Sequence, residues 1–230
     1  MDPHRELAAE VAGELGARDD VLAVLIGGSV ARGEHLAASD VDLLVVTGEQ
    51  TSLPVSRRTV RGGLLVEWIA RTEDAWLARF DRPRTSWLFA FLEGEVMYDS
   101  GPAERLAAQA RVVLETYRTS AELRQNLASL LWHGQAKLDR AARLDDAREQ
   151  GFWASVFTET VIDALFAIHD VPRAAGSRRM AYLHRVPLSA SEKRLLDTLL
   201  TARASERFRA LRRLVAHVRA ELGEPDLELP

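Results

Sequence analysis

A glycine-rich turn and a pair of aspartates stand close together near the start of the chain. Gly27, Gly28 and Ser29 follow one apolar run, and Asp40 and Asp42 head a second apolar run. Residues at i and i+2 of a strand point to the same side of a sheet, so the two carboxylates are expected side by side. Adjacent carboxylates repel each other unless a cation or a proton relieves them. The pattern therefore predicts a site that holds a divalent metal against a nucleotide.

The second apolar run indicates that these aspartates are not simply solvated. Strand alternation places Asp40 and Asp42 in one row with Leu44 and Val46, so the row is apolar beyond its beginning. A strand that is merely half exposed would be polar along its whole outer face. Carboxylate oxygens suit a hard cation, and Mg²⁺ that bridges carboxylates and phosphates is the commonest case. We therefore expect Mg²⁺ at the start of this strand.

A third acid interrupts a later apolar run. Glu67 lies within residues 64–69, where an ionised carboxylate is costly unless it is paired or bound to metal. If the hairpin that carries Glu67 lies beside the aspartate strand, the three acids form a triad. Glu67 would then bind a second metal or act as general base toward an acceptor hydroxyl. Two alternatives stay open: an exposed hairpin position, or a salt bridge to an arginine such as Arg57 or Arg61.

The glycine turn supplies groups that can hold phosphate. Gly27 and Gly28 let the backbone approach a ligand closely, and backbone N–H groups with the Ser29 hydroxyl can bind phosphate oxygens. A short helix is predicted from Val30 to His35, and its N-terminus would add a favourable field. The turn is therefore a candidate triphosphate site.

Several charged or polar residues allow two interpretations. Arg32 either contacts phosphate or is a solvated helix charge, and Ser39 either orients Asp40 or caps the loop. Glu159 and Asp163, one helical turn apart, either line an acceptor pocket that attracts a cationic sugar or face solvent. A basic cluster either neutralises triphosphate or lies at the surface; it comprises Arg173, Arg178, Arg179, His184 and Arg185.

Periodicity predicts a mixed sheet domain over residues 1–101 that positions these groups. Asp2 and Pro3 precede an amphipathic helix, and Gly62 and Gly63 join the two strands of a hairpin. Thr72 is predicted to cap a further helix. The expected strands are Val21–Ile26, Asp40–Thr47, Arg57–Arg61, Leu64–Ala70 and an edge strand at Glu95–Asp99.

After the break at Ser100-Gly101-Pro102, strand patterns stop. Helical spacing of apolar residues continues, with sets such as Leu127, Leu131 and Leu138. Successive amphipathic helices indicate a bundle. We therefore predict an α+β protein, with a nucleotide-binding sheet domain at 1–101 followed by an all-α domain at 102–230.

Composition narrows the classes of function. The 230 residues carry a net charge of −4 and no cysteine, which excludes disulfides, thiolate zinc sites and cysteine nucleophiles. A mildly negative protein without a basic groove is expected to bind long nucleic acid weakly, so a polymerase is not expected. The sequence shows no uninterrupted apolar stretch of about 18 residues and no signal peptide. We expect a cytoplasmic protein without a membrane partner.

The strings Gly28-Ser29-Val30-Ala31-Arg32-Gly33 and Ser39-Asp40-Val41-Asp42-Leu43 resemble the nucleotidyltransferase superfamily that includes DNA polymerase β. They are similar to its small bacterial branch, which contains antibiotic nucleotidyltransferases and the minimal nucleotidyltransferases of toxin–antitoxin pairs. In that family the Gly-Ser turn binds the triphosphate, the paired acids bind Mg²⁺, and the third acid assists. The resemblance assigns these roles to Gly28, Ser29, Asp40, Asp42 and Glu67.

The resemblance implies an enzyme with two Mg²⁺ ions and an NTP, ATP as first choice. It would transfer a nucleoside monophosphate to a hydroxyl of a small-molecule acceptor and release pyrophosphate. The sheet-then-bundle layout resembles the aminoglycoside and lincosamide enzymes, so antibiotic resistance is the first expectation. Two alternatives stay open: nucleotidylation of a protein in a toxin–antitoxin or regulatory system, and a non-catalytic nucleotide sensor.

Overall fold

The computed structural model describes residues 2–80, 86–173 and 178–225, with backbone only for Ser86 and Arg178. These residues belong to two compact units, Met1–Thr116 and Tyr117–Pro230. The first contains a mixed sheet and the second is helical. The predicted α+β class is therefore confirmed.

The first unit contains both helices and strands. Its elements are α1 (Pro3–Gly16), β1 (Val21–Ile26), α2 (Gly28–Arg32), β2 (Val41–Thr47), β3 (Ser56–Arg61), β4 (Leu64–Thr72), α3 (Glu73–Leu77), α4 (Ser86–Glu93), β5 (Glu95–Asp99) and α5 (Pro102–Thr116). The strands form one sheet in the order β3-β4-β2-β1-β5. Only the β2–β4 pair among them is parallel, because the β3–β4 hairpin brings the chain back before β4 joins β2.

The predicted hairpin and edge strand are present in this sheet. Gly62 and Gly63 have φ angles of 56° and 82°, and the tight turn that they form pairs Arg61 with Leu64. β5 pairs with β1 and forms one edge of the sheet. The sequence signals for both elements were local, and the structure confirms them.

α1 covers one face of the sheet. The Asp2 side chain accepts the backbone N–H groups of His4 and Arg5, and Pro3 occupies the first helical position, where its missing N–H costs nothing. The apolar side of α1 packs with the inward row of β2 in one buried cluster, whose members include Leu7, Val11, Leu15, Val41, Leu43 and Val45. β2 is thereby held with this row buried.

The short helix after β1 differs from its prediction. It begins at Gly28, two residues before the expected start at Val30, and ends at Arg32 rather than His35. Gly33 adopts a left-handed φ of 68°, and its N–H caps the carbonyl groups of the last turn. Residues 34–40 therefore form a loop that leads into β2.

α5 packs in the first unit. The predicted domain boundary lies just before this helix, yet Leu106 and Ala110 of α5 are fully buried, and the helix contacts α4 and β1. An amphipathic helix that follows an edge strand can cover the sheet as readily as it can join a bundle, so periodicity alone does not decide its partner.

The second unit contains α6 (Ala121–Leu144), α7 (Ala147–Ile168), α8 (Arg178–Tyr182), a 3₁₀ turn (Leu183–Arg185), α9 (Ala190–Thr201) and α10 (Ala204–Leu222). α7 packs against both α6 and α10. Among the described residues, α7 is the one helix long and apolar enough to cross a membrane, and half of its apolar stretch is buried in the protein. A core helix meets the same criterion, and Asp163 of α7 forms ion pairs inside the unit.

Candidate active site

The parallel pair of strands brings the three predicted acids together. Asp42 of β2 stands in register with Glu67 of β4, and Asp40 immediately precedes β2. Ligand oxygens of Asp40, Asp42 and Glu67, hereafter the acid triad, all lie within 4.8 Å of one another. All three residues are partly exposed. The structure thus confirms that the hairpin lies beside the aspartate strand.

The apolar packing of β2 explains why the triad lies where it does. Residues 43–46 of β2 are at most 3% exposed, so both faces of the strand are buried beyond its beginning. A charged side chain in that stretch would lose its hydration without compensation. Asp40 and Asp42 occupy the start of the strand, where solvent and ligands can reach their carboxylates.

The glycine turn touches the triad directly. The Gly27 N–H donates to the Asp42 carbonyl oxygen over 2.8 Å. Gly28 has φ of 63°, and a Cβ built at this residue would lie 2.3 Å from Asp42 Oδ2. A side chain at position 28 would therefore meet both backbone strain and a clash. The turn and the aspartate form one continuous surface only because residue 28 is glycine.

Ser29 follows Gly28 inside α2, which places its residue beside the two glycines. Its carbonyl oxygen accepts the Glu34 N–H over 2.9 Å, a bond that folds the following loop back toward the turn. Of the predicted phosphate-binding residues, Gly27 and Gly28 thus contact Asp42 of the acid triad, and Ser29 is the next residue in the chain.

Arg58 is a partner of the triad that sequence reasoning missed. Its Nη2 lies 2.9 Å from Glu67 Oε2. The hydrogen bond and charge of Glu67, followed by the charges of Asp40 and Asp42, raise the pKa of the Arg58 guanidinium. The cation thus interacts with the whole triad.

The expected salt bridge of Glu67 to an arginine is present, but its partner is Arg58 instead of Arg57 or Arg61, because the β3–β4 register pairs Arg58 with Glu67. Side chains alternate along a strand, so positions 57 and 61 point away from position 58. Arg61 accordingly pairs with Glu14 of α1, with 2.8 Å between Arg61 Nη1 and Glu14 Oε2. The register of the β3–β4 hairpin therefore identifies Arg58 as the partner of Glu67.

Arg32 and Ser39, the other two predicted nucleotide-binding residues, contact neighbouring protein groups. Arg32 lies 2.7 Å from Glu34 Oε2 and 3.9 Å from Glu93 Oε2, and its side chain is only 18% exposed. The Ser39 hydroxyl accepts the Leu36 N–H over 2.9 Å, so it caps a turn in the loop before β2. These contacts place Arg32 among acids and Ser39 in the loop-capping role.

In the second unit, the predicted acceptor acids belong to an ion-pair network. Asp163 is buried and hydrogen-bonds to Arg173 Nη1. Arg179 Nε lies 2.9 Å from Asp163 Oδ1 in ion-pair contact without hydrogen-bond alignment, and Arg179 Nη1 lies 2.8 Å from Glu159 Oε2. Burial raises the pKa of Asp163, although the charges of both arginines oppose that shift.

This network also accounts for part of the predicted basic cluster. Arg173 and Arg179 are committed to Asp163, and the Arg185 guanidinium lies 5.7 Å from the centre of the Tyr182 ring. The side chain of Arg178 lies outside the described residues. Two cations of the cluster therefore balance a buried acid of their own unit.

Comparison with known proteins points to the same part of the chain. Residues 8–85 match the family model for the nucleotidyltransferase domain. The crystal structure of a nucleotidyltransferase-like protein from Exiguobacterium sibiricum 255-15 is similar at 12% identity and a TM-score of 0.45, covering 94% of this chain and 74% of that one. A search of curated proteins finds no significant match. The matched range contains the glycine turn and the acid triad, and it supports nucleotidyl transfer in general.

Proposed function

We propose that this chain is a Mg²⁺-dependent nucleotidyltransferase that moves a nucleoside monophosphate from an NTP, with ATP as first choice, to a hydroxyl of a small-molecule acceptor. The observation that carries the proposal is the acid triad beside the glycine turn, with Asp42 and Glu67 in register on parallel strands. Both features lie within residues 8–85, which match a nucleotidyltransferase domain.

The donor set of the triad fits Mg²⁺. Three carboxylates offer hard oxygen ligands within 4.8 Å of one another, and partial exposure leaves room for water and phosphate oxygens in the coordination shell. When bound, a pair of Mg²⁺ ions would neutralise the triphosphate and the charge that develops in the transition state. Asp40 and Asp42 would hold the metal, and Glu67 would complete the ligand set.

The proposed reaction is an in-line displacement at the α-phosphorus. The acceptor oxygen forms a bond to this phosphorus, the bond to the oxygen that bridges to the β-phosphate breaks, and pyrophosphate leaves. Glu67, on the neighbouring strand, takes the proton of the acceptor hydroxyl. Positioning and electrostatic stabilisation supply most of the rate in such transfers, so the rigid register of β2 with β4 matters directly.

The glycine turn would bind the β- and γ-phosphates. Gly27 and Gly28 present backbone without side chains, and the Ser29 hydroxyl can donate to a phosphate oxygen. A Cβ at position 28 would fill the space beside Asp42, so a phosphate oxygen near the metal site requires glycine there. In this proposal Ser39 shapes the loop before Asp40 instead of binding the nucleotide.

Layout and resemblance support aminoglycosides and lincosamides as the first acceptors to test. The net charge of −4 is compatible with a cationic small molecule, and it does not favour long nucleic acid. The absence of cysteine fits a reducing cytoplasm, where NTP and Mg²⁺ are available. These expectations concern the acceptor and the location, and they can fail while the transfer reaction stands.

Label transfer tests the proposal. The protein is incubated with Mg²⁺ and each α-labelled NTP, alone and with pooled aminoglycosides, lincosamides or cell extract. We expect pyrophosphate and a labelled small molecule, both lost in Asp40→Asn/Asp42→Asn and retained in Asp19→Asn, which changes an exposed acid outside the triad. Label on protein would indicate that the acceptor is a protein and not a small molecule. NTP binding without any transfer would overturn the enzyme and favour a nucleotide sensor.

A further inference from the structure

A second cluster of metal-ligating side chains uses none of the triad acids. Asp2, His4 and His35 each offer a ligand atom, and these atoms lie within 4.8 Å of one another. Asp2 and His4 belong to the start of α1, whereas His35 lies in the loop between α2 and β2. We propose that Asp2, His4 and His35 bind a divalent transition-metal ion of the Zn²⁺ class.

The His4 ring is already oriented as a metal ligand. His4 is only 3% exposed, and its Nε2 lies 3.1 Å from the Ser39 carbonyl oxygen. A carbonyl only accepts hydrogen bonds, so Nε2 carries the hydrogen and Nδ1 keeps its lone pair when the ring is neutral. Histidines that bind metal commonly donate their other N–H to a carbonyl or carboxylate in this way. The Ser39 contact therefore selects Nδ1 of His4 as the ligand atom.

This Nδ1 atom faces an acceptor. It lies 3.7 Å from Asp2 Oδ1, which is too far for a hydrogen bond. His35 Nε2 approaches the same oxygen at 3.1 Å, and the centres of the two rings are 4.6 Å apart. Ligand atoms around tetrahedral Zn²⁺ lie about 3.3 Å apart, because Zn–N and Zn–O bonds are about 2.0–2.2 Å long. An ion bound by all three groups would shorten the separation of His4 Nδ1 from Asp2 Oδ1 and leave that of His35 Nε2 from Asp2 Oδ1 near its present value.

Neighbouring charges leave the cluster attractive to a cation. Arg5 Nε lies 3.9 Å from Asp2 Oδ2, but Arg5 Nη1 contacts Glu95 Oε2 at 2.5 Å, so Glu95 balances the guanidinium. Asp2 Oδ1 also accepts the backbone N–H of His4 over 3.0 Å, which holds the carboxylate in place. Nδ1 of His35 is buried without a hydrogen-bond partner among the described residues, and it would carry the ring hydrogen when Nε2 binds the ion.

The donor chemistry separates this site from the triad. Two imidazole nitrogens and one carboxylate suit Zn²⁺ and its neighbours in the first transition row, whereas an all-oxygen set suits Mg²⁺. Coordination would join the start of α1 to the loop that carries Ser39 and then Asp40. The ion would therefore stabilise the segment that enters β2 without itself meeting the nucleotide.

The test is competition for Zn²⁺ with a chromophoric chelator in a large excess of Mg²⁺, using the full-length protein. We expect one tightly bound ion per chain. Asp2→Asn and His35→Gln should each weaken Zn²⁺ affinity about tenfold or more. Asparagine is as good an N-cap as aspartate, so Asp2→Asn removes the charged ligand while it preserves the start of α1.

Two controls separate this site from other sites on the chain. His133→Gln changes an exposed histidine of α6 and should leave Zn²⁺ affinity unchanged, as should Asp42→Asn in the triad. Zn²⁺ should raise the thermal midpoint of the wild type and of both controls, and should raise that of the two ligand variants less. The proposal is overturned if the wild type binds no Zn²⁺ under these conditions. It is equally overturned if Asp2→Asn and His35→Gln bind as tightly as the wild type, or if Asp42→Asn loses the ion.

Discussion

The acid triad of the first unit and the buried acid of the second are compensated very differently. Among the triad acids, Glu67 pairs with Arg58, whose side chain is 70% exposed. Asp163, with a side chain only 9% exposed, meets Arg173 and Arg179, exposed by 15% and 17%. One region concentrates negative charge that solvent can reach, and the other surrounds a single buried charge with cations.

This difference separates a carboxylate that can bind a ligand from one that maintains the fold. Removing one partner of a buried ion pair leaves an uncompensated charge and costs much stability. Removing one of several clustered, accessible carboxylates relieves repulsion and costs little. The same substitution, aspartate to asparagine, should therefore have opposite consequences in the two regions.

The largest expected effect is on catalysis by Asp42→Asn. Losing a metal ligand should remove about 4 kcal/mol of transition-state stabilisation, a fall of about 1000-fold in pyrophosphate release. The free energy of unfolding should stay within about 0.5 kcal/mol of the wild type, because one repulsion is removed. Rate and denaturant unfolding are measured on the same preparation. A folded Asp42→Asn protein with near-normal rate would contradict the proposed role.

The next effect is on stability through Asp163→Asn. The partly buried guanidinium groups of Arg173 and Arg179 would lose the charge of Asp163, although Arg179 keeps its contact with Glu159, and we expect the free energy of unfolding of the second unit to fall by about 3 kcal/mol. Denaturant unfolding followed by a probe in that unit measures the change, with Asp197→Asn of α9 as an exposed control. An Asp163→Asn protein as stable as the wild type would remove the contrast between the two regions.

A third prediction concerns another buried carboxyl group, that of Glu192. Burial acts to raise the pKa of this carboxyl, but hydrogen bonds from Ser189, His169 and His217 outweigh it and lower the pKa from 4.5 to about 2. Because the folded-state pKa is depressed, the stabilisation is present above pH 4.5 and is lost as the pH falls toward 2. It amounts to about 3 kcal/mol at most.

The pH dependence of denaturant unfolding between about pH 5 and pH 2 tests the Glu192 prediction. Glu192→Gln can keep the capping contact with Ser189 but cannot ionise. The stability of this variant should fall less steeply over that range than that of the wild type. Parallel curves for the two proteins would show that Glu192 is not the responsible group.

The smallest effect is expected from Arg58→Gln. The Arg58 guanidinium occupies Glu67 and repels any metal ion that approaches the triad, but its exposure weakens both effects. We expect Mg²⁺ affinity to rise about threefold at low salt, and less at high salt. Mg²⁺ titration of the transfer rate measures this, with Arg57→Gln as the neighbouring control. Weaker Mg²⁺ binding in Arg58→Gln would indicate that the arginine supports the triad.

Local sequence patterns were sufficient to predict many elements of the first unit. The hairpin follows from Gly62 and Gly63, the start of α1 from Asp2 and Pro3, and the cap of α3 from Thr72, whose side chain accepts the Ala75 N–H. Each of these signals acts within a few residues, and so it does not depend on the rest of the fold. The prediction of the acid triad depended on one further condition, that β4 lies beside β2.

Contacts between distant segments could not be predicted in the same way. Arg58 meets Glu67 because of strand register, and a shift of one residue would have presented Arg57 instead. Asp163 finds Arg173 beyond the end of its own helix, and no periodicity marks that pair. The end of α2 was misplaced because Gly33 was not given the left-handed cap conformation that it adopts.

The close approach of Gly28 to Asp42 has a consequence for how this sequence can drift. A Cβ at position 28 would lie 2.3 Å from Asp42 Oδ2, so a replacement of the glycine requires the side chain of residue 42 to move or to become smaller. A smaller side chain at position 42 would remove that clash, whereas the left-handed φ of 63° at residue 28 would still favour glycine. Loss of the aspartate would therefore relax only part of the selection for glycine, and we expect position 42 to change before position 28.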